Sequence, residues 1–437
     1  MGQEVVAGVD VGSGSARAVA ISRGGAVVAS AVAPYPAHEP RPAGEVDPGI
    51  WLDGLGTAFG RLACDTPLAL CVGGHGPTTV ASTGDLAITF RHPAGAAEGP
   101  IGQHAAHTAL LKERFGDRVE PRQMWDYLLS RIGGDPGIQS TWPPQAPLEG
   151  FGESVPVGSS VGTSTGAHDI PAGVMLVPGS NDAYLTAWAS AIDAPGRAFD
   201  PGGKTGGLGV AVAAGEHADI AKYGMPSHVP GVAIVGGPVA SHGAIMDWWS
   251  GITGRSVPEL LDLAAAIEPG AGGVMVLPFL EGERAPRWNL GLRAEIVGLS
   301  LGSDVGAVTR ALLESTAYGL GHIARSLGDQ GVELTRVVSS GGPARSPLWT
   351  SIKAAVLEVP IDVPACDEMA AYGAALGAGA AVGWWPRPGE GQPGDWPMPE
   401  VTTYEPEPLE VYRRGLDRFI ALGDEAVERL ERTNRID

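Results

Sequence analysis

The stretch "AGVDVGSGSARAVAISRGGAVVAS", residues 7–30, constrains the fold more than any other part of the chain. A short run of small and β-branched residues, Val5 to Val9, reads as a buried strand that delivers Asp10 to its tip. Beyond it, "GSGSAR" offers backbone N–H groups, the hydroxyls of Ser13 and Ser15 and the guanidinium of Arg17, all suited to an anion, while Asp10 suits a cation. Phosphate with magnesium would satisfy both. A dinucleotide fingerprint needs a third glycine and a following helix, and a Walker loop needs a Gly-Lys-Ser/Thr ending; neither is present. The Gly24-Gly25 turn between "ARAVAI" and "AVVAS" is instead a hairpin signal, so an anion here would be held by a β-hairpin and not by a helix N-terminus.

At 437 residues the chain exceeds one ordinary core and predicts two or three domains. A net charge of -20 argues against a nucleic-acid surface, which needs basic patches. No basic segment followed by a long apolar run precedes the first strand, and no stretch reaches the roughly 20 apolar residues of a membrane span. The expectation is a cytoplasmic protein with no membrane contact. Cys64, Cys71 and Cys366 are odd in number and lack the paired spacing of a zinc site, so they read as buried thiols.

Asp47 and Pro48 open a predicted helix in "DPGIWLDGLGTAFGRLA". "PLALCVGG" is a strand that runs into the turn "HGPTTVAS", further helices lie in "IGQHAAHTALLKERF" and "PRQMWDYLLSRIGG", and residues 133–171 read as loop with short strands. "GVMLVPGSNDAYLTAWASAI" repeats the opening grammar of strand, small-residue turn, acid and helix, with Asp182 at the switch. "GRAFDPGGKTGGLGVAVAAG" then resembles a degenerate second copy of the first hairpin. Such a duplication puts one phosphate loop on each of two lobes, divided near 194–198, where "DAPGR" breaks a helix. The second half alternates strands and helices, with a capping box at Ser256 and Glu259 and a long helix opening at Asp304, an α/β pattern. "WWPRPGEGQPGDWPMP" reads as a proline-rich linker and 407–432 as a polar C-terminal helix.

A phosphate-holding β-hairpin is the geometry of the actin-like, ribonuclease-H-like ATPases and kinases. Within that group the chain resembles the FGGY carbohydrate kinases, the sugar and polyol kinases that include xylulokinase and glycerol kinase. The likeness is strongest from 272 to 383, where "LPFLEGERAPRWN", "GLSLGSDVGAVTRALLESTAYGL", "SSGGPARSPLWTSIKAAVLEVPIDV" and "AAYGAALGAG" follow one another in the family's order. It implies an α/β chain of two ribonuclease-H-like (actin-like ATPase) lobes around a central cleft, 1–196 on the substrate side and 197–437 binding the nucleotide. It also implies ATP and Mg²⁺ as cofactors and a family habit of forming homodimers.

By this resemblance Asp182 is the general base, although taken alone it also suits an ordinary helix cap. Asp10, with Asp182, looks like the metal-holding acid. Gly12, Ser13, Ser15 and Arg17 match the first phosphate loop, with Arg17 placed for the γ-phosphate. Thr205 and Gly206 match the second loop. Lys204 departs from the family's Gly-Thr-Ser-Gly, and it suits either a phosphate or a solvated turn. Gly341 and Gly342 match the adenosine motif, and Ser346 caps the helix after it. On the substrate side the candidates are His75, Gly76, Asn181 and Asp182, with His75 equally suited to a structural hydrogen bond. The family's Trp-Asp-x-Arg sugar-binding segment is replaced by "LAITFRHPAG", and 133–171 is short. The expected activity is therefore ATP-dependent phosphorylation of a small sugar or polyol, a ketopentose such as xylulose first. The alternative is a kinase-derived nucleotide-binding or regulatory protein. A chaperone-type ATPase of the same fold would need a peptide-binding β domain, for which the sequence has no candidate.

Overall fold

The computed structural model describes residues 3–36, 44–95, 99–142, 145–216, 224–239 and 241–434. It divides into two compact units: Met1–Asp193 with Pro226–Pro230 and Glu368–Pro399, and Ala194–Met225 with Gly231–Asp367 and Glu400–Asp437. Read linearly, the sequence assigns everything after residue 196 to one lobe. In the structure, 226–230 and 368–399 pack with the first 193 residues instead.

In the first unit, β1 (Val5–Val11), β2 (Ser15–Ser22), β3 (Val27–Pro34), β4 (Ala69–Gly74) and β5 (Met175–Asn181) form one sheet in the order β5-β4-β1-β2-β3. Strands β1, β2 and β3 run antiparallel as a meander, while β4 pairs parallel with β1 and β5 parallel with β4. Successive side chains alternate between faces. Ala7, Val9 and Val11 therefore share the core that holds Trp51, Leu55 and Phe59 of the helix Gly49–Gly60. That helix starts one residue later than predicted: Pro48 is its N-cap, and Asp47 accepts a hydrogen bond from Gly49 N–H at 2.8 Å.

Gly8 and Asp10 point to the other face, where the helix Met369–Ala381 lies against β1. The approach is close enough that a Cβ on Gly8 would stand 2.1 Å from the Ala371 carbonyl oxygen, so only glycine fits. Nearly every residue of this Ala/Gly-rich helix is buried, as expected of a helix that is apolar all round. The segment predicted as a linker, 384–399, is packed instead. Its Trp385 and Trp396 are buried, and their indole N–H groups donate to Leu376 O and Pro386 O, each at 2.7 Å. Proline and glycine there shape turns around two aromatic anchors.

The second unit repeats the plan. β6 (Arg197–Pro201), β7 (Gly206–Ala213), β8 (Val232–Val239), β9 (Arg336–Ser340) and β10 (Ile361–Pro364) lie in the order β8-β7-β6-β9-β10, with Met225–Pro226 and Val401–Tyr404 at the two edges. Again the first three are antiparallel and the last two run parallel to the first. Both sheets thus have the ribonuclease-H-like strand order, and the duplication read from the two glycine turns is a duplication of topology. The capping box closes as predicted, with Glu259 accepting from Ser256 N–H at 2.8 Å, and Asp304 caps the helix Val305–Gly328 through Ala307 N–H at 2.8 Å. The C-terminal helix Glu410–Asn434 is amphipathic, burying Tyr412, Leu416 and Phe419 against the core built on the 305–328 helix. Among the described residues, no helix is long and apolar enough to cross a membrane.

Candidate active site

Parallel strands collect chemistry at their carboxyl ends, because each ends in a turn that leads away from the sheet. In the first unit β1 delivers Asp10, β4 leads into His75 and Gly76, and β5 ends on Asn181 and Asp182. Residues far apart in the chain therefore meet at one sheet end. Asp10 is 3% exposed, and its Oδ1 has no hydrogen-bond partner among the described residues. Burial raises its pKa, opposed by the positive charge of Arg17. Arg17 stands directly across from Asp10 on β2, with Nη1 at 3.5 Å from Asp10 Oδ2. The turn between them is tight: Gly12 N–H donates to Ser15 O at 3.0 Å, and Tyr35 O–H donates to Gly12 O at 3.1 Å. Ser13 is exposed at its tip and Ser15 is buried.

Asn181, not Asp182, is the N-cap of the helix Asp182–Ala189, and its Oδ1 accepts from Ala183 N–H at 2.8 Å. Asp182 occupies the first helical position, where Oδ1 accepts from the same N–H. Although the residue is only half-buried, loss of hydration around its carboxyl, with the charge of Asp10 second, pushes its pKa up to about 7. Such a carboxylate accepts a proton near neutrality far more readily than an ordinary one. Gly76 lies so near Asn181 that a Cβ there would be 2.8 Å from Asn181 Nδ2, bringing two predicted substrate residues together. The His75 ring is enclosed: Nδ1 is 2.9 Å from Thr78 Oγ1, and Trp51 and Phe90 meet it edge-on. Burial, with Arg91 second, lowers its pKa to about 4, so the ring is neutral.

Among the described residues, no group of three or more His, Cys, Asp or Glu side chains is arranged as a metal cage. Mg²⁺ does not ask for one, since it keeps several waters and takes one or two carboxylates. The unpartnered Oδ1 of Asp10 fits that requirement.

In the second unit β6 and β9 are adjacent and parallel, so the 201–206 turn and the Gly341-Gly342 turn lie side by side. Gly341, at φ 76°, is so close to Gly202 that a Cβ would stand 1.9 Å from its carbonyl oxygen. Lys204 and Thr205 are exposed and Gly206 is buried. The Lys204 carbonyl accepts from His242 N–H at 3.1 Å and Ala244 N–H at 3.0 Å, which fixes the turn. Ser346 caps its helix as predicted, accepting from Trp349 N–H at 3.3 Å.

Sequence reasoning missed Asp200, which sits in β6 where Asp10 sits in β1, one residue before the strand ends. Aligning "DVGSGSAR" with "DPGGKTGG" would have found it. Its buried carboxylate meets Lys353 Nζ at 2.5 Å and accepts from Ser339 Oγ at 2.9 Å. His242 Nε2 lies 3.9 Å away, its ring stacked on Trp349. Burial alone would raise the Asp200 pKa, but Lys353 and His242 outweigh it and hold the carboxyl below its usual value. Burial and Lys353 lower His242 to about 3.

The two sheets define a protein of the ribonuclease-H-like, actin-like ATPase fold. Solved structures share it: xylulose kinase from Rhodospirillum rubrum has a TM-score of 0.77 at 24% identity, covering 98% of this chain and 100% of that one. Ligand-bound xylulose kinase from Lactobacillus acidophilus has a TM-score of 0.80 at 17% identity, covering 97% and 98%. Residues 205–382 match the family model of the FGGY family of carbohydrate kinases, C-terminal domain. Over that second-half segment the chain is therefore similar to the FGGY carbohydrate kinases. In sequence it is similar to glycerol kinase of Gloeobacter violaceus, 36% identical over 154 residues, which are 34% of this chain and 30% of that protein. Glycerol kinase of Paenarthrobacter aurescens is 36% identical over 157 residues, 35% of this chain and 31% of that protein. The chain spans less than a third of the length of these relatives.

Proposed function

We propose that this chain transfers the terminal phosphoryl group of ATP to a hydroxyl of a small sugar or polyol, with a ketopentose such as xylulose the first substrate to try. The reading rests on one observation above the rest: Asp10 and Asp182 share one sheet end, the first beside an arginine and a phosphate-type turn, the second near-neutral in its proton affinity. Asp182 is the general base that takes the acceptor hydroxyl's proton. Asp10, with Asp182, would hold Mg²⁺, Asp10 through its unpartnered oxygen. When bound, that ion offsets charge on the phosphate oxygens. Gly12, Ser13, Ser15 and Arg17 bind the terminal phosphate, Gly76 and Asn181 border the acceptor, and the enclosed His75 supports that turn from behind. Thr205, Gly206 and the exposed Lys204 face the inner phosphates, and Gly341 with Gly342 admit the adenosine. Phosphoryl transfer needs mainly positioning and charge stabilisation, which these groups supply.

The test is ADP release across C3 to C6 polyols and ketoses. One of them is expected to support turnover, and Asp182→Asn is expected to lower kcat by about 10²–10⁴ while ADP still binds. Nucleotide binding without turnover on any alcohol overturns the kinase reading, and full activity in Asp182→Asn removes the base.

A further inference from the structure

Arg17 is approached by two carboxylates from different directions. Asp10 Oδ2 is 3.5 Å from Nη1, a loose contact, whereas Glu368 Oε2 is 3.0 Å from Nε. Glu368 is the N-cap residue of the helix Met369–Ala381, yet its side chain makes no capping hydrogen bond to that helix and reaches Arg17 instead. Its location is fixed by two very close backbone approaches in the first unit. A Cβ on Gly8 of β1 would be 2.1 Å from Ala371 O and Ala375 N, and one on Gly373 would be 2.1 Å from Leu185 O in the helix that carries Asp182. A single rigid helix therefore ties Glu368 to both the strand of Asp10 and the helix of Asp182. The guanidinium end lies beside the phosphate-type turn: Nη1 is 3.5 Å from where a Cβ on Gly12 would be.

We propose that Glu368 is the positioning residue for Arg17. By meeting the guanidinium at Nε it stops Arg17 from closing onto Asp10 and keeps the Nη end turned to the Gly12–Ser15 turn, where a terminal phosphate binds. This rests on the kinase reading above. Without Glu368, the nearest charge left to Arg17 is Asp10, and a tight Arg17–Asp10 pair would withdraw the arginine from the phosphate and occupy the carboxylate that holds the cation. Nothing in the linear sequence marks this role, because 351 positions separate the two residues.

Glu368→Gln keeps the side chain's size and removes its charge. It is expected to lower kcat/KM for ATP about tenfold in the wild-type background and less than twofold in an Arg17→Ala background, because a residue that acts through Arg17 has nothing to position once Arg17 is gone. An equal loss in both backgrounds, or no loss in either, overturns the proposal. Calorimetry keeps the test independent of turnover: a non-hydrolysable ATP analogue should bind several-fold more weakly to Glu368→Gln, and ADP, which lacks the γ-phosphate, equally well. Equal weakening of both ligands would make Glu368 a general structural residue. Should the wild type phosphorylate nothing, the kinase reading fails, while the contrast between the two ligands still decides the role of Glu368.

Discussion

The two sheets of this protein each end a first strand on an aspartate, and the two aspartates have opposite fates. Asp10 keeps one oxygen unpartnered and shares a half-exposed arginine with Glu368, so burial raises its pKa. Asp200, fully buried, likewise keeps its Oδ1 unpartnered among the described residues, but Lys353 and Ser339 both meet its Oδ2, and its pKa is lowered. One topology has thus produced a carboxylate with only a loose, shared cation contact and one whose charge is answered by a close buried lysine. We propose that the former serves ligand chemistry, while the latter braces the second turn through its buried ion pair. Strand position alone does not make an active-site acid; what covers the strand end decides.

That contrast can be broken most sharply at Asp10. Asp10→Asn should reduce turnover by about 10²–10³, the scale of losing a preorganised electrostatic group. In metal-free protein the same variant should melt at a higher temperature, because it removes a buried charge with an unpartnered oxygen. A lower melting temperature would mean that Asp10 is structural after all. The next effect is on stability alone. Lys353→Met leaves Asp200 charged and buried without its cation, and should cost about 3–5 kcal/mol in urea unfolding. Adding Asp200→Asn should recover much of that loss; no recovery would show that Lys353 stabilises by packing and not by charge.

The smallest effect is in pH dependence, and its sign differs between the two sites. Asp182, raised to about 7, stays protonated in the folded state while the unfolded chain has already lost that proton. Its contribution to stability therefore declines as pH rises from about 4 towards 7. Asp200, lowered, contributes stability at neutral pH that is lost as pH falls through its folded pKa. Melting of the metal-free protein between pH 5 and 8 should fall with pH, with Asp182→Asn flattening part of the slope. Asp126, raised to about 7 by burial, has the same sign and accounts for another part. A slope untouched by Asp182→Asn would show that its carboxyl is ordinary.

Much of this was legible in the letters because it is written locally. The strand that delivers Asp10, the hairpin after it, the second glycine turn at 201–206 and the caps at Ser256, Asp304 and Ser346 are patterns of a few adjacent residues. The expectation for 384–399 failed because proline and glycine usually mark linkers. There, two tryptophans outweigh them by finding buried carbonyl partners. The Asp200–Lys353 pair spans 153 positions and Glu368–Arg17 spans 351, so no local pattern announces either. Internal symmetry was the one available signal for Asp200. For Glu368 there was none, because it depends on a helix crossing back to the first strand.

That crossing has a bearing on how the protein is made. During translation, β1 leaves the ribosome long before the helix that seats on Gly8. Until residue 381 has emerged, the face of β1 that carries Gly8 and Asp10 lacks the helix that covers it. The first unit therefore reaches its final packing after most of the second has been synthesised, and a nascent chain stalled before Met369 would expose that apolar side to chaperones and proteases.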